Sequence, residues 1–171
     1  MHVLFVCTGN ICRSPTAERL AAANSSTVDA AITASSAGTH AVIGHPVHPH
    51  ADKVLRDLGG DPDGFVARQL TGKIAAGADL VLTMSRAHRD AVLELAPQRL
   101  NRTFTLAEAS RLVTEMDAQS VRDLALLRPH LSADETLDIP DPIGQSPDVF
   151  ASVGRQIAEL LPPILELCRP R

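Results

Sequence analysis

Apolar and polar positions change period repeatedly along the chain, and the changes mark out alternating strands and helices. HVLFV (2–6) is a short β-rich run of the kind buried on both faces of a parallel sheet. SPTAERLAAA (14–23) reads as a helix, with Ser14 as its N-cap, Pro15 at the first helical position and alanine-rich turns behind. A second strand is predicted in AAITASSAG (30–38), a helix in HADKVLRDLGG (50–60) closing at Gly59, and a third strand in ADLVLTM (78–84). RAHRDAVLELA (86–96) follows as a helix and RTFTL (102–106) as a fourth strand. The stretch 107–138 reads as a helix, a second helix around VRDLALLRPHL (121–131), and a polar connection. FASVGRQIAELLPPILELC (150–168) closes the chain as a helix opened by Ser146 and Pro147, with a break or kink expected at Pro162-Pro163. There is no internal repeat.

Strands alternating with helices call for right-handed crossovers, hence a parallel sheet covered on both faces. Ligands of such folds bind at the carboxyl ends of the strands, and Cys7 stands at the end of the first. The 171 residues suit one domain spanning 1–171.

Composition narrows the picture without redirecting it. Hydrophobic residues make up 44% and charged residues 21%, close to a globular average. A net charge of -4 argues against a nucleic-acid partner, which would call for a basic excess. The opening MHVLFVC has too short an apolar core and no basic leader for a signal peptide, and no apolar run is long enough to span a bilayer. A cytoplasmic protein with no membrane partner is expected. Three cysteines, Cys7, Cys12 and Cys168, do not form a secreted disulfide framework; free thiols are expected.

The chemistry concentrates in VCTGNICRSPTAE (6–18). A loop between a strand and a helix N-terminus is an anion site, because the first helical N–H groups lack partners and the helix dipole favours negative charge there. Gly9 and Asn10 are the residues best suited to left-handed backbone angles, which let the loop curl its amides inward. Arg13 adds a planar fork for two oxygens of a phosphate-like dianion. Cys7 would lie on the floor of this cup, where amides and guanidinium favour its thiolate, and the Ser14 hydroxyl is placed to donate to it. Alone, Cys7 would read as a small buried hydrophobe and Ser14-Pro15 as a cap. The combination Cys-x5-Arg-Ser in a strand-to-helix setting is far more specific. A zinc site drawing Cys7 and Cys12 together with His40, His45, His48 and His50 matches no familiar ligand spacing, and Gly72-Lys73 lacks the rest of a nucleotide-binding loop.

These residues resemble the signature loop of the low-molecular-weight protein tyrosine phosphatases, V-C-x-G-N-x-C-R-S-P-x-A-E. SSAGT (35–39), ADLVLTM (78–84) and DIPDP (138–142) are similar to that family's later blocks, in the same order. The resemblance implies a four-stranded parallel sheet with helices on both faces, in a flavodoxin-like single domain. It also implies hydrolysis of phosphotyrosine or other aryl phosphate monoesters through a phosphocysteine, with no metal or other cofactor. In that reading Cys7 is the nucleophile, Arg13 binds phosphoryl oxygens and Asp141 is the general acid. Thr8, Gly9, Asn10, Ile11, Cys12 and Ser14 form the phosphate-binding loop, Asn10 holding its conformation and Ser14 stabilising the thiolate. Asp138 and Asp148 are the other carboxylates near the acid's place; Asp148, in the first turn of the last helix, is explained by the helix dipole. Pro142 stiffens the loop that carries Asp141. The resemblance further implies that Cys12 resolves an oxidised Cys7 by forming a disulfide; the other reading is a packing residue. The partners implied are a phosphotyrosine-bearing protein or a small aryl phosphate, with a cognate tyrosine kinase among the candidates.

The chain departs from the family pattern at the rim. Relatives often carry a tyrosine after the Asp-Pro and a tryptophan past the SAGT block, whereas this chain has Ile143-Gly144 and Val42, and no tyrosine or tryptophan at all. Ile11, Val42 and Ile143, with His40 or His45, are the available walls. Regulation by phosphorylation of rim tyrosines is excluded. Ile11 stands where the arginine-phosphatase branch has threonine, and the arsenate-reductase branch needs later cysteines beyond Cys12 and Cys168. A phosphatase therefore leads over an arsenate reductase, a phosphoarginine phosphatase and a non-catalytic phosphate-binding module.

Overall fold

The computed structural model describes residues 1–25, 32–132 and 138–169. Four parallel strands form one sheet in the order β2-β1-β3-β4: β1 (His2–Cys7), β2 (Thr33–Gly38), β3 (Leu80–Thr83) and β4 (Thr103–Thr105). Helices α1 (Arg13–Ser25), α2 (Pro49–Asp57), α3 (Gly72–Ala76), α4 (Arg86–Leu95), α5 (Leu106–Thr114), α6 (Val121–Leu127) and α7 (Pro147–Leu167) cover it. The α/β architecture expected from the alternation of periods is the one observed.

The period of two in β1 divides the core. Val3, Phe5 and Cys7 face a cluster with Leu82 and Phe104 that includes residues of α1, α5 and α7. Leu4 and Val6 face the opposite side, packing with Ala75 of α3, Val81 and Val92 of α4. A buried strand with apolar residues on both sides is what a central parallel strand requires. The parallel register also sets Cys7 opposite Gly38, so the ends of β1 and β2 finish level.

Several helix ends follow their local sequence. α2 stops in a Schellman-type turn, with the Gly59 N–H on Arg56 O and the Gly60 N–H on Leu55 O, and Gly59 taking the left-handed φ of 90° that the turn needs. Thr105 caps α5 in a reciprocal box with Glu108, so Leu106, expected in the fourth strand, opens a helix instead.

Two further expectations are corrected. α1 begins at Arg13, so Ser14 and Pro15 lie within its first turn instead of at its cap and first position. The Ser14 hydroxyl is engaged with Cys7, and proline tolerates any first-turn place because those N–H groups have no helical acceptor. α7 runs on through Pro162 and Pro163 without breaking. The prolines lie on its outer side, while Ile157, Leu161, Ile164 and Leu165 hold the inner face in the core on either side of them. Ala30 and Ala31 of the second expected strand, and most of the polar connection before Asp138, lie outside the described residues. Among the described residues no helix is long and apolar enough to cross a membrane.

Candidate active site

Residues 8–12 link β1 to α1 at the carboxyl end of the sheet, and the segment after β2 fixes which way they face. The N–H groups of Thr39, His40, Val42 and His48 donate to the carbonyls of Cys7, Thr8, Gly9 and Ile11, at 2.9, 3.0, 2.9 and 2.8 Å. In a trans peptide the C=O and the next N–H point in opposite directions. Tying those four carbonyls to segment 39–48 therefore turns the N–H groups of Thr8, Gly9, Asn10 and Cys12 away from it. The backbone N–H groups of residues 8–12 find no acceptor among the described residues. Unpaired amides gathered at a helix N-terminus are an arrangement suited to an anion.

Asn10 carries the turn of the loop, with φ 55°. Gly9, its expected companion, does not adopt a positive φ, and a Cβ there would meet Ile11 and Val42 at an ordinary 3.5 Å. The left-handed turn is thus Asn10's alone, because its side chain is held on every polar atom. Nδ2 donates to Ser14 Oγ at 2.9 Å and to Ser36 Oγ at 2.8 Å, while Oδ1 accepts the Arg68 N–H at 2.9 Å. The Ser36 hydroxyl in turn donates a hydrogen bond to Glu18 Oε2. Burial pushes the Glu18 carboxyl above its ordinary range, against the hydrogen bond from Ser36 that favours its charge.

This chain of donors sets the polarity at Cys7. Ser14 Oγ lies 2.9 Å from Cys7 Sγ and already accepts from Asn10, which leaves its hydrogen free to donate to the sulfur. Cys7 is buried at the base of the cup. Cys12, on the other side of the loop, is buried among Val47, Ala51, Phe65, Ala67 and Phe150. Its thiol is pushed up to about 12, chiefly by burial, then by Cys7 and Asp141, with Arg13 acting the other way. No disulfide joins the two cysteines of the loop.

Arg13 is 5% exposed and links the cup to the 138–142 segment. Its Nη1 donates to Ile139 O at 2.8 Å, and its Nη2 lies 3.6 Å from Asp141 Oδ2. Ile139 is fully packed and donates its N–H to Met84 O at the end of β3. Asp141 is half exposed, and its Oδ1 accepts the Ile143 N–H at 3.1 Å, which limits the freedom of the carboxylate. Asp138 is turned away, accepting the Arg86 N–H at 2.8 Å where α4 begins. Asp148 lies in the first turn of α7, as its dipole role requires. Of the three carboxylates considered from sequence, the structure brings Asp141 to the guanidinium.

Val42 and Ile143 are exposed and Ile11 is half-buried, so the apolar walls read from the sequence stand at the surface, with His40 and His45 exposed. His48 stacks on Phe150 at 4.8 Å between ring centroids. Among the described residues no three His, Cys, Asp or Glu side chains converge as metal ligands.

Three features escaped the sequence reading. His88 of α4 reaches Thr8 Oγ1 with Nε2 at 2.7 Å. Gly38 passes so close to the loop that a Cβ there would lie 2.4 Å from Thr8 O and 3.0 Å from Asn10 N. Arg68 holds Asn10 from a segment distant in sequence. The SAGT block contained Gly38 as a visible signal; His88 and Arg68 carried none.

Residues 2–168 match the family model described as low molecular weight phosphotyrosine protein phosphatase. The chain is 32% identical over 152 residues to the low molecular weight protein-tyrosine-phosphatase Wzb of Escherichia coli K12, covering 89% of this chain and 84% of that one. The crystal structure of a low molecular weight protein tyrosine phosphatase from T. tengcongensis superposes with a TM-score of 0.78 at 30% identity, covering 97% of this chain and 98% of the other. A structure of the arginine phosphatase YwlE, a C7S mutant with a phosphorylated active-site serine, gives 0.77 at 27% identity, covering 97% and 94%.

Two outcomes follow from this geometry. Burial raises the thiols of Cys12, to about 12, and Cys168, to about 11, so both remain protonated at neutral pH. Iodoacetamide treatment of the folded protein followed by peptide mapping should place label on Cys7, and rapid labelling of Cys12 or Cys168 would contradict the site. Gly38→Ala should displace residues 8–10 and weaken protection of Cys7 by inorganic phosphate about tenfold to a hundredfold, read from alkylation rates.

Proposed function

The chain belongs to the low molecular weight phosphotyrosine protein phosphatases, and from that membership we propose a mechanism and a set of roles for its site residues. The protein is a cysteine-dependent phosphoric monoester hydrolase acting on phosphotyrosine. In the proposed mechanism the thiolate of Cys7 attacks phosphorus in line. The S–P bond forms as the P–O bond to the phenol breaks, and Asp141 gives its proton to the departing oxygen. A water then attacks the phosphocysteine, losing its proton to Asp141, and phosphate leaves as the thiolate is restored.

The observation that carries this reading is the meeting of three things at the strand ends: the Cys7 sulfur under the Ser14 hydroxyl, the unpaired amides of 8–12, and the Arg13 guanidinium beside Asp141. Phosphoryl transfer asks the protein mainly for positioning and for charge stabilisation on the equatorial oxygens. The amides of Thr8, Gly9, Asn10, Ile11 and Cys12 supply dipoles for those oxygens, and Arg13 supplies a fork. Ser14 donates to the sulfur, which makes the thiolate a better leaving group in the second step. Asp141 stands at the rim on the side of Arg13, where a leaving oxygen emerges. The phosphorylated serine of the YwlE mutant supports a covalent phosphoryl intermediate at this place in the fold.

The substrate is read as a phosphotyrosine-bearing protein or a small aryl phosphate, with a tyrosine kinase as a candidate cognate partner. Val42, Ile143 and Ile11 would contact the ring by apolar packing, without the aromatic stacking that a tyrosine or tryptophan rim provides. Cys12 is assigned the resolving role toward an oxidised Cys7. Its protonated state keeps it from competing for phosphorus while Cys7 is reduced.

Initial rates on phosphotyrosine, phosphoserine and phosphoarginine peptides, with arsenate-dependent thiol consumption as a control, test the substrate class. Preference for phosphotyrosine is expected, and faster arsenate turnover would move the protein to the reductase class. Cys7→Ser and Arg13→Ala should lower hydrolysis by about a thousandfold or more. Asp141→Asn should cost about a hundredfold or more on substrates with poor leaving groups and much less on 4-nitrophenyl phosphate. Full turnover by Cys7→Ser ends the mechanism. Dithiol should restore the peroxide-treated parent but not Cys12→Ser, and equal recovery in both removes the resolving role.

A further inference from the structure

We propose that His88 is a positioning residue for the phosphate-binding loop, holding the Thr8 hydroxyl so that the peptide following Cys7 keeps its amide directed into the cup. This assignment rests on the phosphatase reading of that cup.

Thr8 is gripped from two sides. Its carbonyl accepts the His40 N–H at 3.0 Å from segment 39–48, and its side chain meets His88 Nε2 at 2.7 Å from α4. The backbone grip alone leaves residue 8 free to rock about the hydrogen bond; a second anchor on the opposite side removes that freedom. His88 is itself fixed. Its Nδ1 lies 2.9 Å from Ser85 Oγ, and the same hydroxyl caps the helix by accepting the His88 N–H at 3.2 Å. The residue is 7% exposed, which limits competition from water for these contacts. Ser85, His88 and Thr8 thus form one relay from the first turn of α4 to the residue after the nucleophile.

The relay works with a neutral ring, in which one nitrogen donates and the other accepts. Burial first and then Arg13 lower the imidazole, Asp138 and Asp141 oppose them, and the net result is about 4. Those are the charged groups that act on it, and the sum leaves the ring uncharged at neutral pH. A cationic ring would share the bound anion's field with Arg13; a neutral one fixes geometry and adds no charge. The contact is not needed to join β1 to β3, whose ladder runs from Val3 to Thr83 and continues through the Met84 N–H on Val6 O.

The full chain and its variants are assayed with 4-nitrophenyl phosphate, with inorganic phosphate as inhibitor and with iodoacetate as a probe of Cys7. His88→Ala is expected to lower kcat about tenfold and to weaken phosphate inhibition by a similar factor. Thr8→Val removes the hydroxyl without changing shape and should lose as much. The double variant should be no worse than either single one. His88→Gln, which keeps a donor near the place of Nε2, should recover most of the loss, with the shape of the pH profile unchanged over about pH 5 to 8. Parent-like kinetics in Thr8→Val, losses that multiply in the double variant, or an acidic limb that moves with His88→Gln would each overturn the assignment. Should the parent hydrolyse no phosphomonoester, the phosphatase reading fails by itself. Phosphate protection of Cys7 against iodoacetate then decides the role of His88: unaltered protection in His88→Ala and Thr8→Val overturns it, and weakened protection in both sustains it.

Discussion

Four hydrogen bonds between the 7–11 carbonyls and the amides of segment 39–48 are the constraint on which the site depends. A loop that follows a parallel strand could direct its amides either way. Because each peptide is planar, fixing the carbonyls outward fixes the amides inward. The alignment rests on the level finish of β1 and β2, and on the absence of a side chain at Gly38, over which the loop passes. Asn10 completes the constraint from within by joining the turn to Ser14, Ser36 and Arg68.

Charge is handled with equal economy of parts. Arg13 belongs at once to the cup and to the 138–142 segment, where it holds the Ile139 carbonyl and faces the Asp141 carboxylate. The segment is in turn pinned to β3 through Ile139 and to α4 through Asp138. Asp141, Arg13 and Cys7 therefore sit on segments tied to one sheet. Around them the titratable groups are graded by burial: the Cys12 thiol is kept protonated and His88 is kept neutral. Arg13 remains the cation of the cup.

The rim is the least constrained part and the most individual. Val42 and Ile143 are exposed aliphatic residues where the family pattern read from the sequence has aromatic ones, and the chain has no tyrosine or tryptophan. Aliphatic walls still remove apolar surface of a phenyl ring from water, but they impose less orientation on it. Selectivity would then lean more on the depth of the cup and on the position of Asp141 than on stacking.

By itself the sequence determined the alternation of strands and helices, the loop between β1 and α1, and the presence in it of residue types suited to a phosphoryl group, because these are local: period, turn propensity and side-chain chemistry within a few positions of Cys7. The Asp-Pro in the 138–142 block was picked out by its resemblance to a block of the family. Tertiary structure decided what depended on distant segments meeting. It showed that segment 39–48 turns the loop, that Asn10 and not Gly9 takes the left-handed angle, and that Asp138 belongs to α4 while Asp141 faces Arg13. It also carried α7 through two prolines and brought His88 to Thr8 across 80 positions of chain. A hydrogen bond of that span leaves no periodic trace in the residues between its ends, so only the folded chain can reveal it.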